Sequence, residues 1–163
     1  MNQLGVVLML WLLPLRFDPV SVAGVAAIGA AEDKSEISLQ EITDSLRTRL
    51  EIAQLVQVKL VDHNPLVMSV ETLGGRIGPY VITVDRDFIS DLGHDQIEAS
   101  LAHELGHVWI YTHFPYIQTE RLANDVAMRV IRRSAFEPVY EKVWRRTGIR
   151  GNLIEFIGPP TQH

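Results

Sequence analysis

Cysteine is absent from the sequence. That excludes a disulfide framework, thiol catalysis and a thiolate-bound metal, so any metal ion must be held by His, Glu or Asp. A block of lysine or arginine is also missing. The 15 basic residues are scattered and outnumbered by 20 acidic ones, for a formal charge of -5. Nucleic-acid binding depends on clustered cations facing phosphates, so no nucleic-acid partner is expected. After residue 31 there is no internal repeat, low-complexity tract or linker. With 163 residues and 47% apolar composition, the chain is expected to bury one core and form one domain.

No apolar run reaches the ~20 residues that a helix needs to cross a bilayer. Leu4 to Leu15 is almost wholly apolar but about a dozen residues long. It is followed by small residues ending in Gly29-Ala30-Ala31, which suit cleavage by a signal peptidase. Residues 1–31 therefore read as a signal peptide. Because no Lys or Arg precedes the apolar run and Arg16 follows it, an uncleaved anchor or a misplaced start codon is the alternative. Either segment would place the globular part, 32–163, in an extracytoplasmic space, periplasmic or secreted, with membrane association through the N-terminus if the segment is retained.

The globular part begins with helical periodicity. Ser38 and Glu41 have capping-box spacing, and Leu39, Ile42, Leu46 and Leu50 recur on one face, predicting a helix from about Ser38 to Gln54. The period then falls to two in Val56, Val58 and Leu60. His63-Asn64-Pro65 reads as a turn, and Leu66 to Thr72 as the second strand of a hairpin. Tyr80 to Val84 predicts a third strand after glycine-rich turns. Beyond Gly93, Ile97, Leu101, Leu105 and Val108 mark a helix that Pro115 must end. Further helices are predicted from Thr119 to Arg132 and from about Pro138 to Gly148. The tail from Asn152 carries no assignment. The fold class is α+β: an N-terminal helix, a small twisted sheet of about three strands, then helices.

The strongest chemical signal is His103-Glu104-Leu105-Gly106-His107. Residues four apart on a helix lie one turn above each other, so both imidazoles can reach one ion, and the glutamate beside them can act as a base on water. With six histidines and eleven glutamates, random placement would produce this pattern with a probability of about 1 to 2%. Zinc suits two imidazoles and leaves room for water.

A third ligand has two candidates. His113 stands six residues beyond His107, the metzincin spacing, but that motif needs glycine where this chain has Ile110. On an unbroken helix His113 would lie about 240° round from His107. Glu120 opens the next predicted helix; its ordinary role would be to complement the helix dipole. Trp109, Tyr140 and Trp144 read as aromatics at the core or its rim.

The segment His103 to His107 followed by Glu120-Arg121-Leu122-Ala123-Asn124-Asp125 resembles the gluzincin metallopeptidases, especially the minigluzincins and M48-type enzymes. The resemblance covers about Leu66 to Arg132. It implies a zincin-like fold, with His103, His107 and Glu120 as zinc ligands and Glu104 as catalytic base. Ala123 would be the small residue where two helices meet, and Asn124 would accept a hydrogen bond from His103 in place of the commoner Asp. It also implies that an extended peptide pairs with a sheet edge formed by the strand before the metal-binding helix, although the pattern does not decide which strand here is the edge.

The expected activity is zinc-dependent hydrolysis of a peptide or protein substrate. The alternatives are a non-catalytic zinc-binding module that binds a partner protein, and a metzincin-like peptidase using His113. His113, Tyr111, Tyr116 and Arg129 are the candidates for stabilising a tetrahedral oxyanion.

Overall fold

A computed structural model describes residues 34–160. The segment read as a signal peptide or anchor lies outside the described residues. Helix α1 (Lys34–Arg49) buries Leu39, Thr43 and Leu46 at helical spacing. Ser38 lies within it rather than at its start, so the expected capping box does not open the helix. It also stops short of Gln54. Glu51 adopts a left-handed φ of 58°, and Arg47 donates to the carbonyls of Ile52 and Gln54 at 3.1 and 3.3 Å, folding the chain back on itself. That reversal buries Leu50 and Ile52 and aims the chain into the sheet.

The sheet comprises β1 (Val56–Val61), β2 (Met68–Thr72) and β3 (Tyr80–Asp85), in the order β1-β3-β2. The predicted hairpin of the first two strands is not formed. β3 lies between them, parallel to β1 and antiparallel to β2. Asn64 explains the crossing: its backbone N–H donates to the Asp85 carboxylate at 3.0 Å and its side chain donates to the Thr83 carbonyl at 3.0 Å. The turn is thereby tied across the end of β3 instead of reversing beside β1. β3 suits the central place because Tyr80, Ile82 and Val84 are all buried.

The two sheet edges differ. On β1, Gln40 donates to the Val56 carbonyl and accepts from the Val58 N–H, and Glu36 accepts from the Leu60 N–H. Side chains of α1 thus occupy that edge. On β2, the bonds Leu73 N–H to Pro79 O and Asp85 N–H to Val67 O set the hydrogen-bonded pairs. The alternate residues Met68, Val70 and Thr72 therefore turn their backbone groups away from β3, although the Met68 N–H is taken up by the Leu66 carbonyl at 2.7 Å. The strand preceding the helix of His103 and His107 is thus central, not an edge; among the described residues the edge left open is β2.

Asp85 ends β3 and caps the short helix α2 (Arg86–Ser90), accepting from Phe88 N–H at 2.9 Å. Helix α3 (His94–Thr112) follows, and its Leu101, Leu105 and Val108 are fully buried. Helix α4 (Glu120–Ala127) starts at Thr119, whose hydroxyl accepts from Leu122 N–H at 3.1 Å. It ends five residues before Arg132. Helix α5 (Phe136–Thr147) stops at Gly148, where φ is 71°. The tail holds an element the sequence left unassigned: α6 (Leu153–Ile157), capped by Asn152. The architecture is α+β, with the core between α1, α3, the sheet and the C-terminal helices.

Candidate metal centre

The site begins with a close approach of two backbones. A Cβ atom on Gly106 would stand 2.3 Å from the Ala123 carbonyl oxygen and 2.9 Å from its Cα. Glycine on α3 and a fully buried alanine on α4 let the helices meet at this point. Glu120, at the first turn of α4, thereby reaches the face of α3 that carries His103 and His107.

The two imidazoles and the carboxylate converge: one ligand atom from each lies within 4.8 Å of the others. His103 Nε2 and His107 Nε2 are 3.2 Å apart. Of the Glu120 carboxylate, Oε2 lies 3.2 Å from His103 Nε2 and Oε1 lies 3.5 Å from His107 Nε2. Tetrahedral zinc, with bonds of ~2.0–2.2 Å to such donors, spaces them about 3.3–3.5 Å apart. The donor set therefore fits a metal ion, with a fourth direction left open. Among the described residues this is the group of His, Asp and Glu side chains that could hold one.

Each histidine is oriented through its other nitrogen. His103 Nδ1 is 2.9 Å from Asn124 Oδ1, the bond that the resemblance implied. His107 Nδ1 is 3.0 Å from Gln118 Oε1, while Gln118 Nε2 donates to the His107 backbone carbonyl at 2.9 Å. With Nδ1–H donating in both rings, both Nε2 lone pairs face the centre. Sequence reasoning missed Gln118. It lies in an irregular segment before α4, where no periodicity marks it, and only the packing of α4 against α3 brings it to His107.

The electrostatics follow from burial and proximity. Burial disfavours a charged His103, but its bond to Glu120 and the charges of Glu120 and Glu104 outweigh that and raise it to about 9. Burial opposes the charge on Glu120 as well, yet both histidines hold its carboxyl below the usual carboxylate range. Glu104, 7% exposed, is pushed up by burial despite the opposing histidines. A carboxyl raised in this way is suited to accepting and returning a proton.

His113 is not part of this group. It stacks on Trp109 at 4.0 Å, and its Nδ1 lies 2.7 Å from the Trp109 carbonyl oxygen. Arg129 lies over the Trp109 ring, and Tyr116 tilts against it. Tyr111 instead meets Tyr80 edge-on. The tyrosine that touches the centre is Tyr140, whose ring is 6.4 Å from that of His103 and whose hydroxyl accepts from Asn124 Nδ2 at 2.5 Å. Burial, opposed by that bond, and the nearby carboxylates raise its phenol. Asp125 pairs with Arg121.

No protein-family model, curated protein or solved structure matches this chain.

Proposed function

We propose that the centre binds zinc and that the protein is a peptidase of the gluzincin type, with His103, His107 and Glu120 as ligands and Glu104 as catalytic base. The observation that carries this reading is the convergence of two imidazole nitrogens 3.2 Å apart and one carboxylate, drawn from two helices with a ligand atom of each within 4.8 Å of the others, beside a buried glutamate. Two imidazoles, one carboxylate and an open fourth direction are the donor set of a catalytic rather than a structural zinc site.

When bound, zinc supplies a Lewis acid that acidifies water and polarises a carbonyl. Glu104 takes the proton from the attacking water and returns it to the nitrogen of the leaving amine. Asn124 and Gln118 keep the imidazoles pointing inward. The outward backbone groups of Val70 and Thr72, with the Met68 carbonyl, offer an edge on which an extended peptide can pair. Export or anchoring by residues 1–31 would put this activity outside the cytoplasm.

The test is zinc content of the purified chain, for wild type, Glu120→Ala and His113→Ala, together with cleavage of a mixed peptide library by wild type and Glu104→Gln. The expected result is one zinc per chain, lost with Glu120 and kept without His113, and cleavage abolished in Glu104→Gln. Zinc without Glu104-dependent cleavage would replace the peptidase reading with a zinc-binding module.

A further inference from the structure

Asn124 is fully buried and has three partners. Its Oδ1 faces His103 Nδ1 at 2.9 Å; its Nδ2 donates to the Tyr140 hydroxyl at 2.5 Å and to the Phe156 carbonyl at 3.0 Å. A hydroxyl can donate or accept, but a backbone carbonyl can only accept. The Phe156 carbonyl therefore fixes which way the amide points. Nδ2 must face the tail, Oδ1 must face His103, Nδ1 of His103 must carry its proton, and Nε2 is left free for a metal.

That carbonyl belongs to α6, near the helix end where carbonyls lack helical partners. Neighbouring carbonyls are held from outside as well. Arg133 donates to those of Ile157 and Gly158 at 3.3 and 2.7 Å, and Arg121 reaches that of Ile154. The Phe156 ring packs on Tyr140 with 5.1 Å between centroids. The C-terminal segment is thus held on the outer face of α4 by the side chain that orients a metal ligand.

We propose that residues 152–160 are a working part of the metal centre: their docking sets the Asn124 amide and through it the His103 tautomer, so metal binding and tail docking strengthen each other. This rests on the metal-binding reading above. It also accounts for an amide rather than a carboxylate at this position. A carboxylate at 124 would still accept from His103, but its second oxygen would oppose the Phe156 carbonyl with no hydrogen to offer. Asn124 is a positioning residue and Arg133 acts through it at one further remove.

The experiment uses the full chain and zinc chloride, measuring zinc affinity by competition with a chelator and amide hydrogen exchange of residues 153–158 with and without zinc. In wild type, zinc should slow exchange in that segment, because coupling between two sites is reciprocal. Arg133→Ala, which touches no ligand, should speed tail exchange and weaken zinc binding about 10-fold; Glu137→Ala, which removes the Arg133 ion-pair partner but not its tail contacts, should leave both unchanged. Asn124→Asp should weaken zinc binding roughly 10- to 100-fold and release the tail. Unchanged zinc affinity in an Arg133→Ala chain with a loosened tail would overturn the proposal. So would an Asn124→Asp chain that binds zinc as tightly as wild type with its tail still protected. A wild-type chain that binds zinc without any change in tail exchange would also overturn it while leaving the metal centre standing; one that binds no zinc removes both.

Discussion

The backbone of Ala123 passes so near Gly106 that its carbonyl oxygen lies 2.3 Å from where a Cβ would be. Nothing flexible can yield at that contact, because the opposing atoms are backbone. Gly106→Ala should therefore push α4 off α3, at a cost of about 1–3 kcal/mol for overpacking. It should also carry Glu120 away from the histidines. Thermal unfolding and chelator competition on the same variant should show lower stability and zinc affinity reduced beyond the effect of Gly106 on folding.

Gln118 holds His107 at both a ring nitrogen and the backbone carbonyl. Gln118→Ala should leave the fold intact, since the residue is exposed. It should weaken zinc binding by about 10-fold, the usual size for loss of a group that orients a histidine ligand. Gln118→Glu should recover part of that affinity: a carboxylate oxygen accepts from Nδ1–H, the bond to the His107 carbonyl is lost, and the second oxygen, on an exposed residue, can turn to water.

The metal-free centre should be sensitive to alkali. His103 is raised from its ordinary 6.5 to about 9 in the folded chain. A raised imidazole contributes stability that is fully present below about pH 6.5 and is lost as pH climbs through about 9. The metal-free protein should therefore melt at progressively lower temperature from pH 6.5 to 9. Zinc must displace that proton, so its binding should release about one proton at pH 7.5 and fewer above pH 9. Calorimetry in buffers of different ionisation enthalpy measures the number directly; no release at pH 7.5 would contradict the assignment.

Asp85 is completely buried and accepts from the Asn64 and Phe88 amides and from Arg146, at 3.0, 2.9 and 2.7 Å. Burial acts to raise its carboxyl, but those donors hold it below the usual range. A depressed carboxyl contributes stability above its ordinary value near 3.8, and that contribution disappears as acid protonates it. Asp85→Ala should cost about 2 kcal/mol, since it strands the α2 cap and the β1–β2 crossing together. Denaturant unfolding at pH 7 should show that loss, and the gap between variant and wild type should close towards pH 2.

Much of the site could be read from the chain. His103, Glu104 and His107 stand out because a metal-binding helix writes its pattern locally, one turn apart. Glu120 and Asn124 were reachable through the resemblance to the gluzincin pattern, in which they stand one helical turn apart with Ala123 between them. The errors lie where partners are distant in sequence. The first two strands have the alternation of a hairpin, and alternation does not say which strands become neighbours; Asn64 bonding across the end of β3 does. Helix α1 ends before Gln54 because Arg47 ties the Ile52 and Gln54 carbonyls just beyond it, and α4 ends before Arg132 where the amides of Arg129 and Val130 bond three residues back instead of four; hydrophobic periodicity encodes neither.

The sequence by itself determined the class of fold, the helix that carries the His103 and His107 pair and the absence of any thiolate chemistry, because composition and period are properties of short windows. Only the tertiary structure decided that Glu120, rather than His113, lies against the histidine pair. It also decided that β2 is the open edge and that a carbonyl in the C-terminal helix orients the Asn124 amide. Each of these depends on a contact between segments whose separation along the chain exceeds a helical or strand repeat, and only a close approach such as that of Gly106 to Ala123 brings such residues together.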